Sequence, residues 1–306
     1  MRPVFQWNLG CRSLELGRRT LIMGIVNVTP DSFSDGGQFL DSGKAVEQAE
    51  RLLDEGADII DIGGESTRPG AGVQAASVRK SEGASDQRPP VSADEELRRV
   101  IPVISELKNK RANCIISVDT YKASVARAAL AAGAEIVNDV SGFRWDPQMP
   151  RTVADLECGA VLMHMRGRPE EWRSLPPADD IVELVKRELK QWADDAMSAG
   201  IPRERLVLDP GLGFGKNFDE NYPLIARFKE LHDLGFPLLA GTSRKSFVGR
   251  TVGRDQKVPP GERLYGTLAS ETALILQGAH IVRTHDVKAS AEAARVADAI
   301  RNESTR

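Results

Sequence analysis

Histidine and cysteine are scarce in this 306-residue chain, and neither is arranged to hold a metal or a cross-link. The four histidines show no His–His or His–carboxylate metal spacing, so any metal used here is expected to be a hard, oxygen-liganded ion. The three cysteines, Cys11, Cys114 and Cys158, form no CxxC and leave one unpaired. That excludes a disulfide framework and a zinc ribbon, and it points to reduced thiols in a cytoplasmic protein. Positive charge is not in excess either. Lys and Arg number 41 against 44 Asp and Glu, a net charge of −3, which argues against binding nucleic acid through bulk charge. No apolar run is long enough to cross a bilayer, and Pro3 and Gln6 interrupt the start before a signal-peptide core could form. A membrane partner is therefore not expected.

What is present is an alternation that runs to the end of the chain. Short β-branched or apolar runs begin at Thr20, Asp58, Cys114, Glu135, Ala160, Arg205, Pro237 and His280. Each is nearly continuously apolar at its centre, as expected for a strand covered on both faces by helices. Amphipathic segments lie between them, and many stop at a glycine (Gly56, Gly133, Gly200, Gly235, Gly278). NYPLIARFKELHDLG reads as one such helix, and a weaker one lies near 150–157. Eight strand–helix units are the number that closes a (β/α)8 TIM barrel. An open doubly wound sheet is the competitor, but the first unit lacks a dinucleotide glycine turn. A single barrel domain over 1–306 is the expectation, with residues 1–19 as a hairpin or plug across its bottom. One stretch breaks the rhythm: from Ala71 to Ser92 the residues are small and polar and have no period.

In such a barrel the site is built from the carboxyl ends of the strands. Those ends offer Asn27; Glu65, Thr67 and Arg68; Asp119; Asn138 and Asp139; Met163 and His164; Asp209; Ser243, Arg244 and Lys245; and Arg283, His285 and Asp286. Asp119, Asn138, Asp209 and Lys245 suit a flat heterocycle rich in N–H and C=O groups. Thr67, Arg68, Arg283 and His285, with Asn27 beside them, suit a phosphate or diphosphate. Mg2+ with a diphosphate fits the hard-ion expectation. GLGFGK (Gly211 to Lys216) lacks Walker spacing and reads as a tight turn that lets backbone approach a planar ligand. TPDSFSDGG (Thr29 to Gly37) has the make-up of a moving lid, with Phe33 as an apolar cover.

Taken together these segments resemble the dihydropteroate synthase family. The resemblance rests on MGIVNVTPDSFSDGG, GGESTRPG, SVDT, IVNDVSG, LMHMRG, LDPGLGFGK, GTSRKSF and VRTHDV, which fall at all eight strand ends in order. It implies a (β/α)8 barrel, commonly homodimeric, using Mg2+. It further implies condensation of 6-hydroxymethyl-7,8-dihydropterin diphosphate with 4-aminobenzoate to give 7,8-dihydropteroate and diphosphate. Carried over residue by residue, Asp119, Asn138, Asp209 and Lys245 would bind the pterin, with Met163 lining its slot. Arg283 would stack on the ring and, with His285, hold the diphosphate. Asn27 would touch Mg2+ and Thr67 a phosphate oxygen, while Phe33, Arg68, Pro69 and Ser243 would frame the aminobenzoate. The catalytic set so implied is Asp119, Asp209, Lys245, Arg283 and His285. The chain departs from the family in the segment after STRPGAG, which is longer by the Gln74 to Pro90 stretch, an insertion in the second βα loop. The alternatives are a methyltetrahydrofolate-dependent methyltransferase and a non-catalytic pterin-binding paralogue. The TPDSF lid and the SRK triplet favour the synthase.

Overall fold

The computed structural model describes residues 2–29, 42–65, 90–172, 174–254 and 256–303. Two short strands, β1 (Phe5–Asn8) and β2 (Ser13–Leu16), pair antiparallel as a hairpin. Eight parallel strands follow: β3 (Leu21–Asn27), β4 (Ile59–Gly63), β5 (Ile115–Asp119), β6 (Ile136–Asp139), β7 (Gly159–Met163), β8 (Leu206–Asp209), β9 (Leu239–Ala240) and β10 (Ile281–Thr284). Their order in the sheet is β8-β7-β6-β5-β4-β3-β10-β9, and a bridge between Leu208 and Leu238 joins the two ends. The expected eight-stranded barrel is what forms. Its seam is narrow because β9 is short. Pro237 has no N–H to donate, and the Leu238 N–H goes to His280 Nδ1 (3.0 Å) instead of to a neighbouring strand.

The helices are α1 (Ser42–Asp54), α2 (Ala93–Lys110), α3 (Ala123–Ala131), α4 (Met149–Leu156), α5 (Ile181–Ser198), α6 (Asn221–Ala226), α7 (Ser246–Val252), α8 (Leu264–Leu276) and α9 (Val287–Glu303). Each long one buries a stripe at helical spacing. In α1 the stripe is Ala45, Val46, Ala49 and Leu52. The five glycines read as stops all have positive φ, from 73° to 113°. Two segments differ from the sequence reading. The segment 221–235 splits at Arg227 into α6 and a 3-10 stretch, Phe228–Leu234. Its apolar residues Phe228, Leu231 and Leu234 recur every three positions, the period a 3-10 turn keeps on one edge. Helix α7 was not anticipated at all.

Strand pleating sorts the barrel wall into two sets. Ile22, Val26, Ile60, Ile62, Ile116, Val118, Val137, Leu162, Leu208 and Val282 pack outward against the helices. Leu21, Met23, Ile59, Ile115, Ile136, Val161, Val207, Leu239 and Ile281 face inward and form one cluster with Trp7, Leu9 and Leu16 of the N-terminal segment. The hairpin thus plugs the bottom of the barrel. Trp7 is fully buried, and its indole N–H donates to the Arg205 carbonyl (2.9 Å). Replacing Trp7 with Ala is expected to cost about 3–5 kcal/mol of unfolding free energy, the usual cost of emptying a large aromatic site. Urea unfolding measures it, and a loss under 1 kcal/mol would mean the plug is not part of the core.

Candidate active site

The same parity that makes the lower barrel apolar makes its upper tier polar. On β4 the inward residues run Ile59, Asp61, Gly63; on β5 they run Ile115, Ser117, Asp119; on β6, Ile136 and then Asn138. Register places Asn27 beside Gly63, Gly63 beside Asp119, and Asp119 beside Asn138. Met163 lies beside Asp209, and Arg283 follows Ile281 on the inward face of β10. Gly63 leaves the tier open here, since a Cβ on it would lie 3.3 Å from the Asp119 Cβ.

Arg283 spans this tier. Its Nε donates to Asp61 Oδ2 (2.6 Å) and its Nη2 to Asp119 Oδ2 (2.6 Å), while Asn138 Nδ2 donates to the same Asp61 oxygen (3.0 Å). Asp61 is fully buried, and its Oδ1 has no partner among the described residues. Across the slot, Asp209 Oδ1 accepts from the Gly211 N–H (2.7 Å). The Lys245 Nζ donates to the Leu212 carbonyl and lies 4.6 Å from the centre of the Phe214 ring. Met163, Tyr121, Val140, Trp145 and Met165 form an apolar cluster beside these groups, with Phe214 and Trp172 packed against it. At the β9 and β10 ends Ser243 Oγ lies 3.0 Å from His285 Nδ1, and the His285 N–H donates to Ser243 Oγ (3.1 Å).

Burial sets the electrostatics of the tier. It pushes the Asp119 carboxyl up to about 7 although Arg283 pulls it down, with Asp61 adding to the rise. Burial also raises Asp209 against the pull of Lys245. It lowers Lys245 to about 8, with Asp209 opposing. Burial works against the Arg283 charge too, but the Asp61 and Asp119 carboxylates outweigh it and its pKa is raised.

Of the residues named from sequence, Asn27, Asp119, Asn138, Met163, Asp209 and Arg283 sit on inward-facing positions of the tier, with Lys245, Ser243 and His285 at its rim. Thr67, Arg68, Pro69, Phe33 and, apart from Pro90, the 73–90 insertion lie outside the described residues. Five strand-end groups do not enter the slot. Asp139 points outward and accepts from the Ser141 N–H (2.7 Å) and hydroxyl (2.6 Å), tying its own turn. His164 also points outward, stacked on Trp192 with ring centres 5.1 Å apart. Asp286 is paired with Arg244 (2.5 Å), and Glu65 with Lys122 (2.5 Å). GLGFGK is a tight turn with three positive-φ glycines, as expected, though its lysine closes the turn and makes no phosphate loop. Sequence reasoning missed Asp61, which sits in mid-strand, two residues below the strand end. Its signal was the acid inside DIIDIGG at the parity of Asp119.

A closed barrel whose mouth gathers two carboxyls, an amide and an arginine on one side, and a carboxyl and a lysine on the other, defines a (β/α)8 protein built to hold a small, planar, polar molecule. The family model described as pterin binding enzyme matches residues 23–285. The dihydropteroate synthase of Escherichia coli is 44% identical over 278 residues, covering 91% of this chain and 90% of that protein. A solved structure of the Xanthomonas albilineans dihydropteroate synthase with 4-aminobenzoic acid is 43% identical with a TM-score of 0.84, covering 98% of this chain and 99% of that one. A second structure of that enzyme, in complex with 7,8-dihydropteroate, is 41% identical with a TM-score of 0.81, covering 97% of this chain and 98% of that one. The chain belongs to the pterin-binding enzyme family and, within it, to the dihydropteroate synthases.

The raised Asp119 pKa has a consequence for stability. An acid whose folded pKa lies above its unfolded value keeps its proton in the fold and loses it on unfolding, so stability falls as pH rises through that window. For Asp119 the window runs from the ordinary carboxyl value near 4 up to about 7. Replacement by Asn removes this term. The stability of Asp119→Asn relative to the native chain is therefore expected to be more favourable at pH 8 than at pH 5, by urea unfolding. A difference that does not change with pH would contradict the assignment.

Proposed function

We propose that this chain condenses 6-hydroxymethyl-7,8-dihydropterin diphosphate with 4-aminobenzoate, giving 7,8-dihydropteroate and diphosphate. The observation that carries the reading is the inward tier of Asp61, Asp119, Asn138, Asp209 and Arg283 with Lys245 at its rim. Its donors and acceptors match the N–H and C=O edges of a pterin and leave the ring faces to apolar side chains such as Met163. Asp119 and Asn138 take one edge, and Asp209 and Lys245 the other. In the reaction the aryl amine nitrogen bonds to the pterin methylene, the C–O bond breaks with its electron pair leaving on the diphosphate, and the amine loses a proton. As the methylene becomes electron-poor, the carboxylates around the ring stabilise the developing positive charge. Lys245, Arg283 and His285 place positive charge or N–H donors toward the departing anion. An aryl amine needs no strong base, so the chain's main contribution is to hold the two reactants in line.

The donor set at the end of β3 fits Mg2+: Asn27 offers a hard amide oxygen, and such an ion takes most of its other ligands from phosphate and water. Asn27 would hold the ion, which when bound supplies charge neutralisation to the diphosphate. Three free thiols support a reducing, cytoplasmic setting, and among the described residues no helix is long and apolar enough to cross a membrane. The test is release of diphosphate on mixing both substrates with the protein and Mg2+. Release requiring both substrates, lost on chelation and lowered about 100-fold or more in Asp119→Asn, is the expected result. No release under these conditions overturns the reading.

The reading extends to a homodimer, supported by the exposed apolar side chains Val252, Tyr265, Leu276, Val296 and Ile300 on the neighbouring helices α7, α8 and α9. Tyr265 is 84% exposed. Sedimentation is expected to show a dimer that Tyr265→Glu dissociates; a native monomer at micromolar concentration would contradict it.

A further inference from the structure

Lys216 is a buried lysine whose hydrogen bonds go to a histidine and to backbone carbonyls. Its Nζ shares its protons among four acceptors within hydrogen-bond distance, His164 Nδ1 (2.8 Å) and the carbonyls of Gly211 (2.9 Å), His164 (3.1 Å) and Phe214 (3.2 Å). The tautomer of His164 follows from its other nitrogen. Nε2 lies 2.9 Å from Glu188 Oε2, a carboxylate that can only accept, so Nε2 carries the proton and Nδ1 accepts from Lys216. Burial holds the His164 pKa down to about 3, which keeps the ring neutral. A chain of contacts thus runs from Glu188 on α5 through His164 at the end of β7 to Lys216, and ends on the carbonyls of the Gly211–Gly215 turn.

That turn carries two groups of the substrate slot. The Gly211 N–H holds Asp209 Oδ1, and the Leu212 carbonyl holds the Lys245 Nζ. The His164 N–H also donates to the Asp209 carbonyl (2.8 Å). The turn can come this close only because Gly211, Gly213 and Gly215 have positive φ, and a Cβ on Gly211 or Gly215 would collide with the carbonyls of His164 or Arg166.

We propose that Lys216 and His164, neither of which enters the slot, are positioning residues that set Asp209 and Lys245 for the pterin by clipping the Gly211–Gly215 turn against the end of β7. The inference rests on the functional reading above and adds to it a second set of residues needed for pterin affinity. Lys216→Met keeps an unbranched side chain, one atom shorter, and removes its donors. Glu188→Gln releases the tautomer of His164 from a half-exposed position where the fold is not at stake.

The experiment is a fluorescence titration with 6-hydroxymethylpterin at 10 °C, alongside KM for 4-aminobenzoate and thermal unfolding. Lys216→Met is expected to raise the pterin Kd tenfold or more and Glu188→Gln threefold or more, both with KM for 4-aminobenzoate within twofold of the native chain. Trp7→Ala, destabilised at the far end of the barrel, is expected to keep the native pterin Kd. If Lys216→Met loses thermal stability yet binds pterin as the native chain does, the lysine is only a structural clip and the proposal is overturned. Should Lys216→Met fail to fold, an unchanged Kd in Glu188→Gln overturns it instead. A native chain that binds no pterin overturns the functional reading itself, and this proposal with it.

Discussion

A barrel closed on itself leaves its inward side chains no partner but one another, and this constraint organises the molecule. At the bottom it is met by apolar packing, with the hairpin's Trp7 and Leu16 sealing the end. At the top the same parity carries Asp61, Asp119, Asn138, Asp209 and Arg283, which cannot be neutralised by helices on the far side of the wall. They compensate each other instead, and Arg283 joins two carboxyls that would otherwise repel. The strain of burial shows in Asp119 and Lys245, both shifted toward their neutral forms. A flat ligand presenting N–H and C=O groups along its edges meets acceptors and donors already fixed in place. Binding then costs little reorganisation, which is the physical content of preorganisation.

Much of this was legible in the sequence because a parallel strand has a short, recognisable period. The count of eight strands, the glycine stops and the ring of polar strand ends all follow from local pattern. What local pattern does not show is which side of the wall a terminal residue faces. Asn138 and Asp139 are neighbours, yet one enters the slot and the other ties a turn. Met163 and His164 divide the same way. Applying the two-residue parity from Ile136 or Val161 upward would have separated them, and it would have brought in Asp61. The split of 221–235 was less accessible because the three-residue spacing of Phe228, Leu231 and Leu234 also reads as helical, and α7 has only 7 residues, too few for a repeating apolar pattern.

The glycine-rich turn after β8 shows how a sequence motif can mislead about chemistry and still mark a functional place. Its lysine resembles a phosphate-binding residue, but the geometry turns it inward to satisfy carbonyls that tight turns leave unpaired. Burial draws that amine's pKa well below the ordinary lysine value, and the nearby Asp209 charge opposes the shift only in part. Behind the slot, then, lies a second polar assembly, joined to the first through backbone.

The account stands on the inward tier being the place where a pterin is recognised. A crystal structure of the chain with a bound pterin analogue tests that most directly. The bicyclic ring is expected within hydrogen-bond distance of Asn138, Asp209 and Lys245 and of at least one of Asp61 and Asp119, with Met163 against its face. A ring bound outside the barrel mouth, with the Arg283 bridge and its carboxyls untouched, would contradict the account.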